Sequence, residues 1–396
     1  MQVTVCYAVP TVSITGGVIV VLEHANRLRA RGIETFIINM GAQGNLDWFS
    51  GNKVPVYHWS GRYPKSTDVL VATGWQTAYS IHRLSLRARR YVYFVQSDES
   101  RFSPPQSLPS RLAAYSYRLP YEYLTEAKWI RTWLKDAYRQ KAVYAPNALN
   151  EKIMHPVAPL APRGKRLRVL IEGPCTVPYK GVDDSFRAVN GLPVEVWYVS
   201  SSGLPRFWHR YDRFFERVPF YHMNRIYSSC DVLLKMSTVE GFFGPPLEMM
   251  ACGGTAVTTR VTGYDEYIVD GYNALTVALG DSAAARRQIK RLIDDRDLLE
   301  KLRSNGSKTA SQMKWDDTID ILEDLYRRKK RPQQKFDHIF ISMLDTIAES
   351  SIPAPTGIYG IVYTLRKKAF AAPLRSMTAI VKCVILFAQR IRNIIR

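Results

Sequence analysis

STVEGFFGPPLEMMACGGTAVTTRVTGYDEYIVDGYNAL, residues 237–275, sets Glu240 and Glu248 eight positions apart around a turn rich in glycine and proline. The pattern predicts strand, tight loop, helix, strand and loop, with Glu240 at a strand's carboxyl end and Glu248 in the helix that follows. In open α/β sheets that edge is where ligands bind. An ionised carboxylate only accepts hydrogen bonds and can take two from a vicinal diol, so paired acids there suit a sugar or a ribose. Gly241 and Gly244 carry no side chain, which lets N–H groups of the turn approach such a ligand closely. Pro245 and Pro246 fit a first helical turn, where no N–H is needed, and aim the helix's positive end into the crevice. Phosphate is the expected guest. The plainer reading, with Glu240 as a loop cap and Glu248 as a solvated helix residue, leaves the coincidence of glycines, prolines, strand and helix without a purpose.

This segment resembles the Glu-x7-Glu signature of retaining nucleotide-sugar glycosyltransferases of the GT-B fold. The likeness is to the large family 4, and within it to bacterial rhamnosyl- and mannosyltransferase-like members. The resemblance implies that Glu240 contacts the donor sugar and Glu248 the nucleotide's ribose. Between them, Gly241, Phe242, Phe243, Gly244 and Leu247 would lie along the donor. YSSCDVLLKMS before the signature and GTAVTTRVTGYDEYIVDGYNAL after it resemble the family's flanking segments. VLIEGPCTVPYKGVDD, residues 169–184, resembles its phosphate loop, with Lys180 matching the lysine that neutralises the pyrophosphate. Glu240 and Lys180 are thereby the catalytic candidates. Gly16 and Gly17, after the first strand, inherit the role of a glycine loop that meets the donor phosphates from the opposite domain, although the full GxGxxG pattern is missing. YFVQSDESRFSPP resembles a Gln-Asp-x-Glu loop, which makes Asp98 and Glu99 acceptor-side candidates together with Trp75 at another strand end.

One departure creates a charge problem. The family's phosphate-loop arginine has no counterpart, Cys175 or a neighbour standing in its place. A nucleotide diphosphate carries more negative charge than one lysine and a helix end offset. Lys235 interrupts the apolar run DVLLKM of a strand expected to be covered on both faces, and a buried lysine is costly without an anion. Either Lys235 or Arg260 supplies the missing charge, or Lys235 merely runs its ammonium to the crevice rim.

The rest of the chain agrees with two α/β domains and an appendage, since 396 residues exceed one ordinary core. Strands are predicted at Val3 to Val9, Ile33 to Asn39, Asp68 to Ala72, Tyr91 to Val95 and Ala142 to Ala145. Helices are predicted from Thr15 to Arg31, Gln76 to Arg89 and Ala127 to Tyr138. Residues 147–165, with Pro156, Pro159 and Pro162, read as a linker, and a second series of strands starts at Leu167 and continues at Val194, Val232 and Thr255. The expected division is an acceptor-side Rossmann-like domain over 1–150, a linker over 151–165 and a donor domain over 166–312. A helix crossing back onto the first domain over 313–331 and a helical tail over 332–396 complete it. Within the tail, Phe336 to Glu349 reads as a helix.

Five scattered cysteines without a CxxC pair exclude a disulfide framework or zinc site and suit a reducing cytoplasm, and no signal peptide opens the chain. No Asp-x-Asp pair flanked by a strand calls for a metal, and no cofactor is expected beyond the nucleotide sugar as co-substrate. Net charge is +20, and residues 361–396 contribute eight Lys or Arg with no acid, interleaved with apolar residues at helical spacing. That tail is too short in apolar length to span a bilayer but suits an anionic membrane surface, so peripheral attachment to the inner face is expected. The competing explanation of the charge, nucleic acid, draws on the cluster Arg83, Arg87, Arg89 and Arg90 but lacks any nucleic-acid-binding motif. A non-catalytic nucleotide-sugar-binding protein is the other alternative, prompted by the missing arginine.

Overall fold

A computed structural model describes residues 3–328 and 335–351. The first sheet contains β1 (Thr4–Val9), β2 (Glu34–Asn39), β3 (Val56–His58), β4 (Ser66–Ala72), β5 (Arg87–Val95), β6 (Glu122–Thr125) and β7 (Ala142–Tyr144). The second contains β8 (Arg168–Glu172), β9 (Glu195–Ser200), β10 (Arg213–Glu216), β11 (Val232–Lys235), β12 (Thr255–Thr259) and β13 (Leu275–Val277). Every strand pairing is parallel, in the orders β3-β2-β1-β4-β5-β6-β7 and β10-β9-β8-β11-β12-β13. Both sheets are doubly wound, and each reverses its strand order once, between β1 and β4 and between β8 and β11. Ligands bind outside the carboxyl ends of strands at such switch points.

The apolar runs explain this layering. In β1, Val5, Tyr7 and Val9 are buried in one core and Cys6 and Ala8 in another, because helices cover both faces of a parallel sheet. The same division places Leu170 and Leu233 of the second sheet in one core and Val169, Ile171, Val232 and Leu234 in another.

Residues 145–167 contain no helix or strand and join the two sheets. The chain returns through the helix Trp315–Arg327, which lies on the first sheet's helix Gly16–Ala30. Its Trp315 ring meets His24 edge-on at 5.4 Å, and Tyr326 shares a 2.9 Å hydrogen bond with Tyr7. A further helix, His338–Ser351, packs Phe340, Ile341, Leu344 and Ala348 against the first sheet's domain, close to the expected 336–349. Residues 361–396, on which the expected membrane contact rests, lie outside the described residues. Among the described residues no helix is long and apolar enough to cross a membrane.

The expected helix from Gln76 to Arg89 is corrected. The helix spans Trp75–Ser80, one 3-10 turn covers Ile81–Arg83, and β5 begins at Arg87, four residues before the expected strand. Tertiary ion pairs hold these arginines in extended backbone. Arg89 pairs with Asp68 on the neighbouring β4 at 2.9 Å. Arg90 forks onto Glu122 of β6 at 2.8 and 2.7 Å. It also donates to the Leu325 and Tyr326 carbonyls at 2.9 and 3.3 Å, where the returning helix presents the negative end of its dipole. Arg83 pairs with Asp345 at 2.7 Å and with Glu349. Three of the four arginines of the supposed nucleic-acid cluster are therefore tied to partners within the fold.

Arg90→Met would leave the nearly buried Glu122 without its cation and should lower stability by about 3 kcal/mol. Arg89→Met removes an exposed pair worth about 0.5 kcal/mol. Thermal melting should rank the two variants in that order, and equal melting shifts would contradict this account.

Candidate functional site

The two glutamates sit at the second sheet's switch point. β11 ends at Lys235, the chain turns through residues 236–243, and the helix Gly244–Ala251 begins with Pro245 and Pro246 in its first turn. Glu240 is buried in the turn, and Lys180 Nζ lies 3.0 and 2.9 Å from its two carboxylate oxygens. Lys180 arrives from the loop after β8, on the other side of the switch point. Gly181 turns this loop with φ +62°, and a Cβ there would overlap the Met236 carbonyl oxygen, so only glycine lets the two loops touch.

Burial alone would raise the Glu240 carboxyl, but Lys180 and then Lys235 hold it below the ordinary glutamate value. For Lys180 burial works in the other direction, and Glu240, with Glu172 beyond it, keeps the ammonium above the ordinary lysine value. Lys235 is 2% exposed and is bonded to the Glu172 carboxylate and, at 3.1 Å, to the Glu172 carbonyl. The expectation that it reaches the rim is corrected, because an anion 63 residues earlier in the chain pairs it inside. Arg260, the other candidate cation, is exposed beyond the end of β12.

Glu248 projects from the helix, where Tyr227 Oη donates to its Oε2 at 2.9 Å. Burial pushes its carboxyl up to about 7, against the opposing effect of the tyrosine bond. Phe243 and Leu247 point into the core, and the Leu247 N–H is taken by the Tyr267 hydroxyl at 3.1 Å. Neither side chain faces the cleft, so any part they take in binding a ligand falls to the backbone. Phe242 is half-buried against Tyr267, with ring centroids 5.5 Å apart.

The first sheet's edge closes on this loop. Gln96, at the end of β5, approaches Gly241 so closely that a Cβ there would overlap the Gln96 carbonyl oxygen. The Gln96 side chain lies over Gly17, where a Cβ would stand 3.1 Å from Oε1. Gly16 has open space around it, and both glycines follow the Thr15 cap of their helix. Trp129 Nε1 donates to the Gly241 carbonyl at 2.8 Å. Glu126, at the end of β6, is pushed up to about 8 by burial, opposed by a hydrogen bond from the Phe242 N–H, and also accepts from Asn147 at 3.1 Å. Arg101 reaches across to the Thr238 carbonyl at 3.1 Å and Thr262 Oγ1 at 3.3 Å.

The acceptor-side candidates sit on this first-sheet edge. Trp75 is buried and donates its N–H to both Glu99 oxygens at 3.2 and 3.3 Å, while burial pushes the Glu99 carboxyl up to about 8. Asp98 turns away to cap its own short helix through Ser100. Sequence reading passed over Gln96, Arg101, Glu126, Glu172, Tyr227 and Tyr267. Gln96 and Glu172, at the ends of expected strands, carried a local signal.

Residues 213–309 match the family model for glycosyl transferases group 1. The chain carries a glycosyl transferases group 1 domain. The matched span holds Glu240 through Glu248, and the first sheet lies outside it. An uncharacterized glycosyltransferase of Methanocaldococcus jannaschii is 23% identical over 211 residues, covering 50% of this chain and 57% of its own length. The O-antigen biosynthesis protein RfbC of Myxococcus xanthus is 24% identical over 282 residues, covering 68% of this chain and 22% of that protein. The chain thus spans less than two thirds of either relative. Sucrose-phosphate synthase from Thermosynechococcus elongatus superposes with a TM-score of 0.68 at 14% identity, covering 82% of this chain and 98% of that one. Anabaena HepE in complex with UDP and glucose superposes at 0.65 and 15%, with the same coverage. The fold is GT-B.

Gly241→Ala should hold the two sheets apart, since the new methyl group occupies the place of the Gln96 carbonyl. Gly244→Ala is the control, because its nearest neighbour would be Glu248 Oε1 at an ordinary 3.9 Å. Small-angle scattering should give a larger radius of gyration for the first variant only. An unchanged radius for Gly241→Ala would contradict the closed contact.

Proposed function

We propose that the protein transfers a sugar, with retention of configuration, from a nucleotide diphosphate donor to a glycan or lipid-linked glycan in cell-surface polysaccharide synthesis. The observation that carries this reading is Lys180 bonded to both oxygens of Glu240 beside the amino end of the 244–251 helix. A diphosphate placed there draws Lys180 onto its own oxygens and receives the helix's positive end. Glu240, released from the lysine, accepts hydrogen bonds from the sugar's hydroxyls, and Glu248 accepts from the ribose diol.

In this reading the acceptor hydroxyl attacks the anomeric carbon on the face from which the diphosphate departs. The bond from that carbon to the phosphate oxygen breaks, and the departing phosphate takes the hydroxyl proton. Lys180 and the helix amides stabilise the charge that grows on the diphosphate, while Glu240 holds the sugar. No metal ion or other cofactor has a part in these steps. The Trp75, Glu99 and Asp98 edge receives the acceptor. The name of the Myxococcus relative and a structural likeness to WaaG, described as a glycosyltransferase involved in lipopolysaccharide biosynthesis, support an envelope glycan as that acceptor. Residues 361–396 attach the protein to the inner face of the membrane.

Purified protein mixed with UDP-, GDP- and dTDP-sugars tests the reading. One donor should raise the melting temperature, a ligand at a hundred times its Kd adding about 2.7 kcal/mol, and should be slowly hydrolysed. Stabilisation without hydrolysis or transfer would favour a binding protein, and no stabilisation by any donor would overturn the proposal. Glu240→Gln should lower kcat by roughly a hundredfold without weakening nucleotide affinity, since Lys180 no longer has to leave a carboxylate.

Glu248→Gln should chiefly weaken the nucleotide. Because the Glu248 carboxyl sits at about 7, it is mostly protonated at pH 6 and mostly ionised at pH 8. Calorimetric affinity for the nucleotide should rise across that range in the wild type by more than in Glu248→Gln, whose remaining slope belongs to the nucleotide's own phosphate. Parallel slopes would remove Glu248 from ribose binding.

A further inference from the structure

Residues 201–212, after β9, form a loop fastened from beneath. His209 is buried, its ring stacked on Phe186 with centroids 4.0 Å apart, and its Nε2 is 2.9 Å from the Asp183 carboxylate. Its Nδ1 accepts the Arg206 N–H at 3.2 Å, and Asp183 also pairs with the Arg206 guanidinium at 3.3 Å. At the loop's root, Cys175 Sγ donates to the Leu204 carbonyl at 2.8 Å. Cys175 or a neighbour stands where the resemblance expects a phosphate-loop arginine, and the cysteine holds the neighbouring loop.

A loop anchored this firmly still leaves its apolar side chains in water. Phe207 is 96% exposed and Leu204 67%, the two most exposed large hydrophobic residues among those described. Beside them opens a recess of about 560 Å³ lined in part by Arg187, Arg206, Arg210, Trp208 and Tyr211. Its two carboxylates are already paired, Asp183 as above and Asp212 with Arg166 at 3.5 Å. Arg210 is exposed and has no hydrogen bond or ion pair among the described residues. A scattered exposed leucine needs no explanation, but two apolar tips held in place beside unpaired cationic charge and amphipathic rings do.

We propose that this loop docks on an anionic phospholipid surface. Leu204 and Phe207 enter the acyl boundary, Arg206 and Arg210 meet the lipid phosphates, and Trp208 and Tyr211 lie at headgroup level, where aromatic residues with polar tips are favoured. The apolar and basic groups complement the two layers of such a surface at once, which a uniformly apolar protein partner would not do. This contact is separate from residues 361–396 and independent of the sugar-transfer reading.

The test places a reporter at the tip of the full-length chain. Phe207→Trp should give a difference spectrum, relative to wild type, that shifts blue with vesicles of about seven parts phosphatidylcholine to three parts phosphatidylglycerol. Brominated phosphatidylcholine in the same vesicles should quench the added emission, and pure phosphatidylcholine vesicles should leave it unchanged. The combined variant Leu204→Ser, Phe207→Ser and Arg210→Ser, with its melting temperature preserved, should float with the anionic vesicles roughly fivefold less than wild type. An added tryptophan that keeps its water-exposed emission while the protein floats would assign the membrane contact elsewhere and overturn the proposal. A chain that fails to bind the anionic vesicles, or a dimer that Phe207→Ser dissociates, would overturn it too.

Discussion

Four charged side chains share the ends of β8 and β11, and the rest of the site is arranged around keeping them neutral. Lys235 is bonded to Glu172 beneath, and Lys180 to Glu240 above. Each ammonium also acts on the other pair's carboxylate, Lys235 on Glu240 and Glu172 on Lys180. A buried charge without a partner is strongly destabilising, so no member can leave unless something replaces it. On the proposed reading this couples the two halves of the donor. A diphosphate that takes Lys180 leaves Glu240 buried without its cation, and only hydroxyl donors from the attached sugar make good the loss. Nucleotide and sugar then favour each other's binding through one lysine.

The same loop is held from both sides. Gly241 belongs by sequence to the second sheet, yet the Gln96 carbonyl stands against its Cα and the Trp129 indole holds its carbonyl. The next residue, Phe242, gives its N–H to Glu126, and Arg101 spans to Thr238 and Thr262. The first sheet's edge therefore packs against the backbone of this loop at both Gly241 and Phe242. The loop's backbone is thus held by residues more than a hundred positions away in the chain.

That distance marks what the sequence could and could not disclose. The period of the apolar runs was enough to find β1, β2, β4, β8, β11 and β12, because burial on both faces writes itself into consecutive residues. The glycines and prolines around Glu240 likewise announced the turn and the start of the helix. Partners brought together by the fold left no such trace. Lys235 looked like a spare cation because Glu172, its anion, sits on a different strand. Arg87 to Arg89 was read as the end of a helix, arginine having good helix propensity, and the strand pairing with β4, with Arg89 on Asp68, overrode it. Glu126 was passed over, since the Phe242 amide it accepts from is supplied by the other sheet.

Two chain crossings join the sheets, and they lie together. One is the irregular stretch 145–167, the other the short passage between the helices Arg296–Gln312 and Trp315–Arg327. They run side by side, since the Leu149 N–H donates to the Met313 carbonyl at 3.1 Å and Thr318 Oγ1 donates to the Pro146 carbonyl. Beyond that point the 315–327 helix is fixed to the first sheet by the Tyr7–Tyr326 bond and by Arg90 on its final carbonyls. The Lys180–Glu240 and Lys235–Glu172 pairs lie wholly on the second sheet's side. Contacts from the first sheet reach this side at Gln96, Glu126, Trp129 and Arg101 and also at Glu266, whose nearly buried carboxylate accepts from the Lys128 N–H and, at 2.9 Å, from the Tyr144 hydroxyl, so parting the sheets would cost that carboxylate its partners.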